Sequence, residues 1–143
     1  PPPPPPPFQA EDGIRDHLLG LVGSEMCIRD RPLMHEILDK YYPPGGTIIR
    51  AMAAKLLPGG VIKPHRDNHP SFHYGHRIHI PIVSNPRVRF MLDGRPYRFE
   101  VGKVYEINNQ KKHSVMNKGD EGRINFIFDY IPPQNVGQAS NQS

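Results

Sequence analysis

The residues able to do chemistry are unevenly spread along this 143-residue chain, and six of its eight histidines fall between positions 65 and 113. The densest run is Pro64 to His79, reading Pro-His-Arg-Asp-Asn-His-Pro-Ser-Phe-His-Tyr-Gly-His-Arg-Ile-His. His65 and Asp67 are two apart, so on an extended segment both side chains leave the same face. There one metal ion can take an imidazole nitrogen and a carboxylate oxygen together. Arg77 and His79 repeat the spacing. His113 stands far downstream in a polar setting, and Arg123 follows ten residues later. Histidine, carboxylate and a distant histidine make the 2-His-1-carboxylate facial triad, which leaves open positions on non-haem Fe(II) for a co-substrate and dioxygen. Taken alone, His65 and Asp67 describe a hydrogen-bonded surface pair better than a metal site, so the metal reading rests on their distant partners.

The segments that must hold these residues are short. Leu33, Met34, Ile37, Leu38 and Tyr41 recur at helical spacing, and Pro43-Pro44-Gly45-Gly46 ends the pattern, which predicts one amphipathic helix over 32–42. From Thr47 the chain changes to runs closed by turn residues: 48–57, 61–67, 77–83, 87–92, 97–101, 104–108, 114–117 and 123–131. Pro58-Gly59-Gly60, Asp93-Gly94 and Lys118-Gly119-Asp120 are the clearest turns. Val88, Phe90 and Leu92, then Tyr97, Phe99 and Val101, alternate with polar or basic residues on either side of Asp93-Gly94-Arg95, a strong hairpin signal.

Parity carries the candidate site. Ile78, Ile80 and Ile82 share one face of their strand and Arg77 and His79 the other, while Arg123 has the parity opposite Phe126 and Phe128. A sheet with one apolar face and one face of histidine, arginine and aspartate implies a barrel with a polar lumen. Roughly eight short strands fit an all-β jelly roll of the cupin kind.

Composition narrows the classes. The single cysteine, Cys27, rules out a disulfide framework and a thiolate metal site. No stretch has the length of apolar sequence that spans a bilayer, and no secretory start is recognisable, so a cytoplasmic protein without membrane contact is expected. Residues 8–31 include Phe-Gln-Ala-Glu-Asp-Gly-Ile-Arg-Asp and Leu-Val-Gly-Ser-Glu-Met-Cys-Ile-Arg-Asp-Arg, which look like conceptual translations of sequencing-library adapter DNA. Residues 1–31 therefore stand outside the expected fold, against the alternative of a real amphipathic helix around 18–22, and the natural chain is expected to be cut short at its amino end. Residues 8–31 hold three basic and five acidic side chains of the chain's 18 and 14, so the remainder, fifteen against nine, is mildly basic. Its arginines are scattered through strand-like runs (Arg87, Arg89, Arg95, Arg98), so no nucleic acid is expected as a partner and the charge is read as a surface attractive to anionic substrates.

Five pieces occur in an order that resembles the aspartyl/asparaginyl beta-hydroxylase family of Fe(II)- and 2-oxoglutarate-dependent dioxygenases. They are Leu-Leu-Pro-Gly-Gly-Val-Ile-Lys-Pro-His-Arg-Asp, Arg-Ile-His-Ile-Pro-Ile, Gly-Lys-Val-Tyr-Glu-Ile-Asn-Asn, His-Ser-Val-Met-Asn and Gly-Arg-Ile-Asn-Phe-Ile-Phe-Asp-Tyr, between positions 48 and 130. The resemblance implies a double-stranded β-helix over 32–131 with a flanking amino-terminal helix, followed by a disordered tail over 132–143. It implies that His65 and His113 bind iron, that Arg123 pairs with the distal carboxylate of 2-oxoglutarate, and that Arg77 and His79 match the family's Arg-x-His, which also contacts the co-substrate. Some members lack the carboxylate ligand; Asp67 is present here, as in the branch that resembles free-proline 3-hydroxylases. The expected catalytic and metal set is thus His65, Asp67 and His113, with Fe(II) and 2-oxoglutarate as cofactor and co-substrate, dioxygen as reactant, and an amino acid or a peptide's aspartyl or asparaginyl residue as substrate.

Two other readings stay open. One is a cupin-like protein that binds a metal without turnover, for which Arg123 has no use; the other is an isomerase-type jelly roll, which would want a further glutamate or histidine ligand near His65. His69, His73 and His76 are expected in a loop over the site mouth, His35 on the helix surface, and Asn108 and Asn109 in a turn, with a substrate contact as the alternative for the two asparagines.

Overall fold

The computed structural model describes residues 24–135. Helix α1 (Ser24–Tyr41) begins ahead of the expected start at 32 and continues through Pro32. The alternative helix at 18–22 and the tail beyond 135 lie outside the described residues. Leu33, Met34, Ile37 and Leu38 form the buried face of α1, and Tyr42 N donates to Leu38 O before Pro43 and Pro44 stop the helix. No described helix is long and apolar enough to cross a membrane.

Eight strands follow: β1 (Thr47–Leu56), β2 (Val61–His65), β3 (His76–Val83), β4 (Val88–Leu92), β5 (Arg95–Tyr97), β6 (Tyr105–Ile107), β7 (His113–Asn117) and β8 (Arg123–Ile131), with a one-turn helix α2 (Ser71–Tyr74) between β2 and β3 and a 3-10 turn at Pro133–Asn135. They form two antiparallel four-stranded sheets, ordered β1-β8-β3-β6 and β2-β7-β4-β5. Within them the first strand pairs with the eighth, the second with the seventh, the third with the sixth and the fourth with the fifth. One long hairpin rolled on itself gives that pairing, which is the jelly roll expected from the sequence.

Two apolar layers hold it. Ile78, Ile80, Ile82, Phe126, Phe128 and Tyr130 lie under α1 on the outside of the first sheet, and Phe90, Ile107 and Val115 pack with Val88, Leu92 and Phe99 as a second cluster. The parity reading therefore holds: the first sheet turns its apolar face to the helix and its polar face to the lumen. Asp93 and Gly94, with φ of 51° and 77°, make the two-residue turn joining β4 to β5, as a type I′ hairpin requires. The second arm is shorter than expected. It spans Arg95–Tyr97, not 97–101, because pairing ends where Tyr97 meets Phe90; Phe99 then leaves the ladder and packs its ring 4.6 Å from Phe90 and 4.4 Å from Tyr105.

Candidate metal centre

Register brings the two distant histidines together: His65 at the end of β2 pairs directly with His113 at the start of β7, their ring centroids 4.3 Å apart. Each ring is oriented the same way. His65 Nδ1 lies 2.8 Å from Lys63 O and His113 Nδ1 lies 2.9 Å from Lys111 O. A carbonyl can only accept, so each Nδ1 carries the proton and each Nε2 keeps its lone pair, the arrangement that metal-binding histidines use. Asp67 follows β2, with its backbone N bonded to Asn109 O at 3.1 Å. Its carboxylate faces both rings, with Oδ1 at 3.5 Å from His65 Nε2 and Oδ2 at 3.9 Å from His113 Nε2. One donor atom from each of the three lies within 4.8 Å of the others. Two imidazoles and one carboxylate fit a divalent transition metal, and the exposed side of His65, 41% open against 13% for Asp67 and 11% for His113, leaves an approach.

Asp67 is held from behind by a ladder of charges. Arg77 Nη1 donates to Asp67 Oδ2 at 3.0 Å, while Arg77 Nε and Nη2 grip Asp129 Oδ1 and Oδ2 at 2.8 and 3.0 Å. Arg50 Nη1 closes the ladder on Asp129 Oδ2 at 3.0 Å. Asp129 lies opposite Arg50 of β1 and Arg77 of β3 in register. Phe72 of α2 lies over both guanidiniums, its ring centroid 4.5 Å from Arg77 and 5.3 Å from Arg50. Arg77, expected to touch the co-substrate, gives three of its five N–H groups to two aspartates.

Arg123 is the opposite case. It is 4% exposed on the central strand β8, and no carboxylate of the described residues lies within ion-pair distance. Burial alone pulls its pKa down to about 10, so it remains a cation at neutral pH. It lines a cavity of about 470 Å³ with Pro81, Val88, Phe90, Phe99 and Asn125. A buried cation without a partner is costly, and an anion entering this cavity supplies the missing charge. His79, 8% exposed, sits between the two regions; burial first, then Arg123, Arg77 and His113, hold its pKa well below the usual value, so it is neutral.

Other expectations fare variously. His69 and His73 are exposed in 68–75, His35 is exposed on α1, and Asn108 closes a turn by accepting from Gln110 N at 3.1 Å. His76 does not overlook the site. It has the parity of Ile78, so it lies on the helix side, bonded to Glu106 and beside the ring of Tyr42. Two residues of the polar face carried no expectation, Asn125 and Asp129; both share the parity of Arg123 along β8, the signal that would have found them.

Residues 24–133 match the sequence model of the family described as Aspartyl/Asparaginyl beta-hydroxylase. No curated protein sequence matches the chain. Among solved structures, it is similar to a non-heme monooxygenase, ThoJ, in a nickel complex, at 14% identity and a TM-score of 0.62 over 90% of this chain and 73% of that one. It is also similar to an oxidoreductase of the 2OG-Fe(II) oxygenase family from Burkholderia pseudomallei, at 19% identity and a TM-score of 0.59 over 78% of this chain and 57% of that one. At these identities the likeness speaks for the fold.

Proposed function

The chain belongs to the aspartyl/asparaginyl beta-hydroxylase family, and from that premise we propose that it is an Fe(II)- and 2-oxoglutarate-dependent oxygenase that hydroxylates an amino acid, free (as proline) or as an aspartyl or asparaginyl residue of a peptide. Family and fold together make it a cupin-type oxygenase with a His-Asp-His donor set. The observation that carries the finer reading is Arg123, a buried cation in the lumen of the same barrel with no acidic partner among the described residues.

Bound at His65, Asp67 and His113, Fe(II) would supply the site where a 2-oxo acid and dioxygen react, so that 2-oxoglutarate, dioxygen and a substrate C–H bond yield succinate, carbon dioxide and an alcohol. The protein supplies position. The Nδ1 bonds to Lys63 and Lys111 carbonyls fix both imidazoles, and the Arg77 contact holds one Asp67 oxygen so that the other can face the metal. Arg123 takes the distal carboxylate in the cavity that Val88, Phe90 and Phe99 line on its apolar side. Neutral His79 adds no second positive charge. Substrate approaches from the open side of His65. A metal-binding cupin without turnover would have no use for Arg123.

Anaerobic titration of the Fe(II)-loaded protein with 2-oxoglutarate tests this. A visible charge-transfer band is expected in the wild type and its loss in His113→Ala. Iron demonstrably bound with no band in the wild type would remove the oxygenase reading.

A further inference from the structure

Asn125 is 1% exposed, lines the cavity that contains Arg123, and leaves its Oδ1 without a hydrogen-bond partner among the described residues. Its Nδ2 stands 3.3 Å from His79 Nδ1. Positions 123 and 125 share one face of β8, so this amide is the next polar group along the strand from the unpaired guanidinium. The oxygen and nitrogen of a side-chain amide occupy nearly the same volume, so a half-turn exchanges them without repacking. With Nδ2 toward His79, the contact is long and a carbonyl oxygen is buried with no donor. With the amide turned, Oδ1 accepts from the Nδ1–H of neutral His79, and the NH2 group takes the place of the orphaned acceptor in the residue that lines the cavity with Arg123. Either arrangement leaves one buried polar atom without a partner among the described residues; in the first it is an acceptor, in the second a donor, and only the donor suits an anion drawn in by Arg123.

We infer that Asn125 is a second anion-binding donor, its amide turned by His79 so that Nδ2 and the Arg123 guanidinium together hold the distal carboxylate of the 2-oxo diacid. The inference rests on the oxygenase reading and deepens it. His79 then acts as a positioning residue through Asn125. A carboxylate has room for both donors, since each oxygen has two lone pairs.

The test is calorimetric titration of the Mn(II)-loaded, dioxygen-free protein with 2-oxoglutarate and, separately, with pyruvate, a 2-oxo acid lacking the distal carboxylate. Asn125→Leu is expected to weaken 2-oxoglutarate binding about 10- to 100-fold, the range for one hydrogen bond to a charged group, and to leave pyruvate unchanged. Asn125→Asp, which sets a second carboxylate against the ligand, should weaken it further. Unchanged 2-oxoglutarate binding in Asn125→Leu, or equal losses for both acids, would overturn the inference. Arg123→Met in the same titration separates the two readings: if it leaves 2-oxoglutarate binding intact, the oxygenase reading itself fails, whereas loss there with no loss in Asn125→Leu sinks only the role of Asn125. Should the leucine variant not fold, wild-type protein labelled with 15N-asparagine gives the answer directly. One side-chain amide pair must shift with 2-oxoglutarate and not with pyruvate; no such pair refutes the assignment.

Discussion

Removing the Arg77 guanidinium separates two roles that sequence resemblance alone runs together. In Arg77→Met, Asp67 Oδ2 loses its only guanidinium and Asp129 loses both arms of a bidentate grip, keeping the single bond from Arg50. The Asp129 side chain is 3% exposed and Arg77 14%, so the pair is largely out of water. Breaking a buried pair by removing one partner costs about 3–5 kcal/mol, and the surviving Arg50 contact places this case near the lower end, about 3 kcal/mol. For a domain of this size that lowers Tm by roughly 10–20 °C. The loss at Asp67 is expected to weaken metal binding about 10- to 100-fold, the usual effect of removing a ligand's outer partner. Arg77→Lys, which restores the charge without the planar fork, should fall between.

The assay is thermal unfolding of the metal-free protein by circular dichroism, with Mn(II) and 2-oxoglutarate titrated separately at a temperature where the variant is folded. A metal-free Tm within 2 °C or so of the wild type, together with undiminished metal affinity, would show that the ladder positions nothing. Loss of 2-oxoglutarate binding at undiminished metal affinity would return Arg77 to direct contact with the co-substrate.

Gly46→Ala should destabilise the fold by about 1–3 kcal/mol through overpacking, read as a lower denaturation midpoint, because an added Cβ would fall 2.2 Å from the Tyr130 hydroxyl oxygen. That hydroxyl already donates to Pro43 O at 2.8 Å, so the ring cannot withdraw without giving up its bond; an unchanged midpoint would refute this. Tyr42→Phe removes the hydroxyl that donates to Glu106, a phenol kept protonated by burial first and by the Glu106 charge second. Stability should fall by about 1–3 kcal/mol and amide exchange near the carboxyl end of α1 should quicken. Exchange unchanged there would mean that the helix is docked by its apolar face alone.

Much of this was legible in the sequence because the signals are local. Period-two alternation separates Ile78, Ile80 and Ile82 from Arg77 and His79, and it places Arg123 inside the barrel without knowledge of any neighbour. Asp93-Gly94 specifies its turn by its own dihedrals. The misreadings come from relations between strands. The alternation of Tyr97, Phe99 and Val101 looks like a continuing strand, but a ladder needs a partner, and β4 begins its pairing with β5 only at Phe90. His76 looked like a residue of the mouth loop because it is surrounded by polar sequence. Its fate was decided by Glu106, thirty residues away on a different strand. Asp129 was invisible as a structural acid for the same reason, since its meaning comes from Arg50 and Arg77 standing on either side in register.

The location of α1 explains how a small barrel can keep so much charge inside. A four-stranded sheet exposed on one face turns its apolar side inward and its polar side to water. Here the first sheet does the reverse, with His79, Arg123, Asn125 and Asp129 buried on one face and Ile78, Ile80, Phe126 and Phe128 buried on the other. That inversion requires a cover for the apolar side, and Leu33, Met34, Ile37 and Leu38 of α1 provide it. The helix is therefore no appendage to the candidate site. By taking the apolar face of the sheet, it leaves the sheet's other face to His79, Arg123, Asn125 and Asp129, and among the described residues Arg123 is the buried cation still in need of an anion.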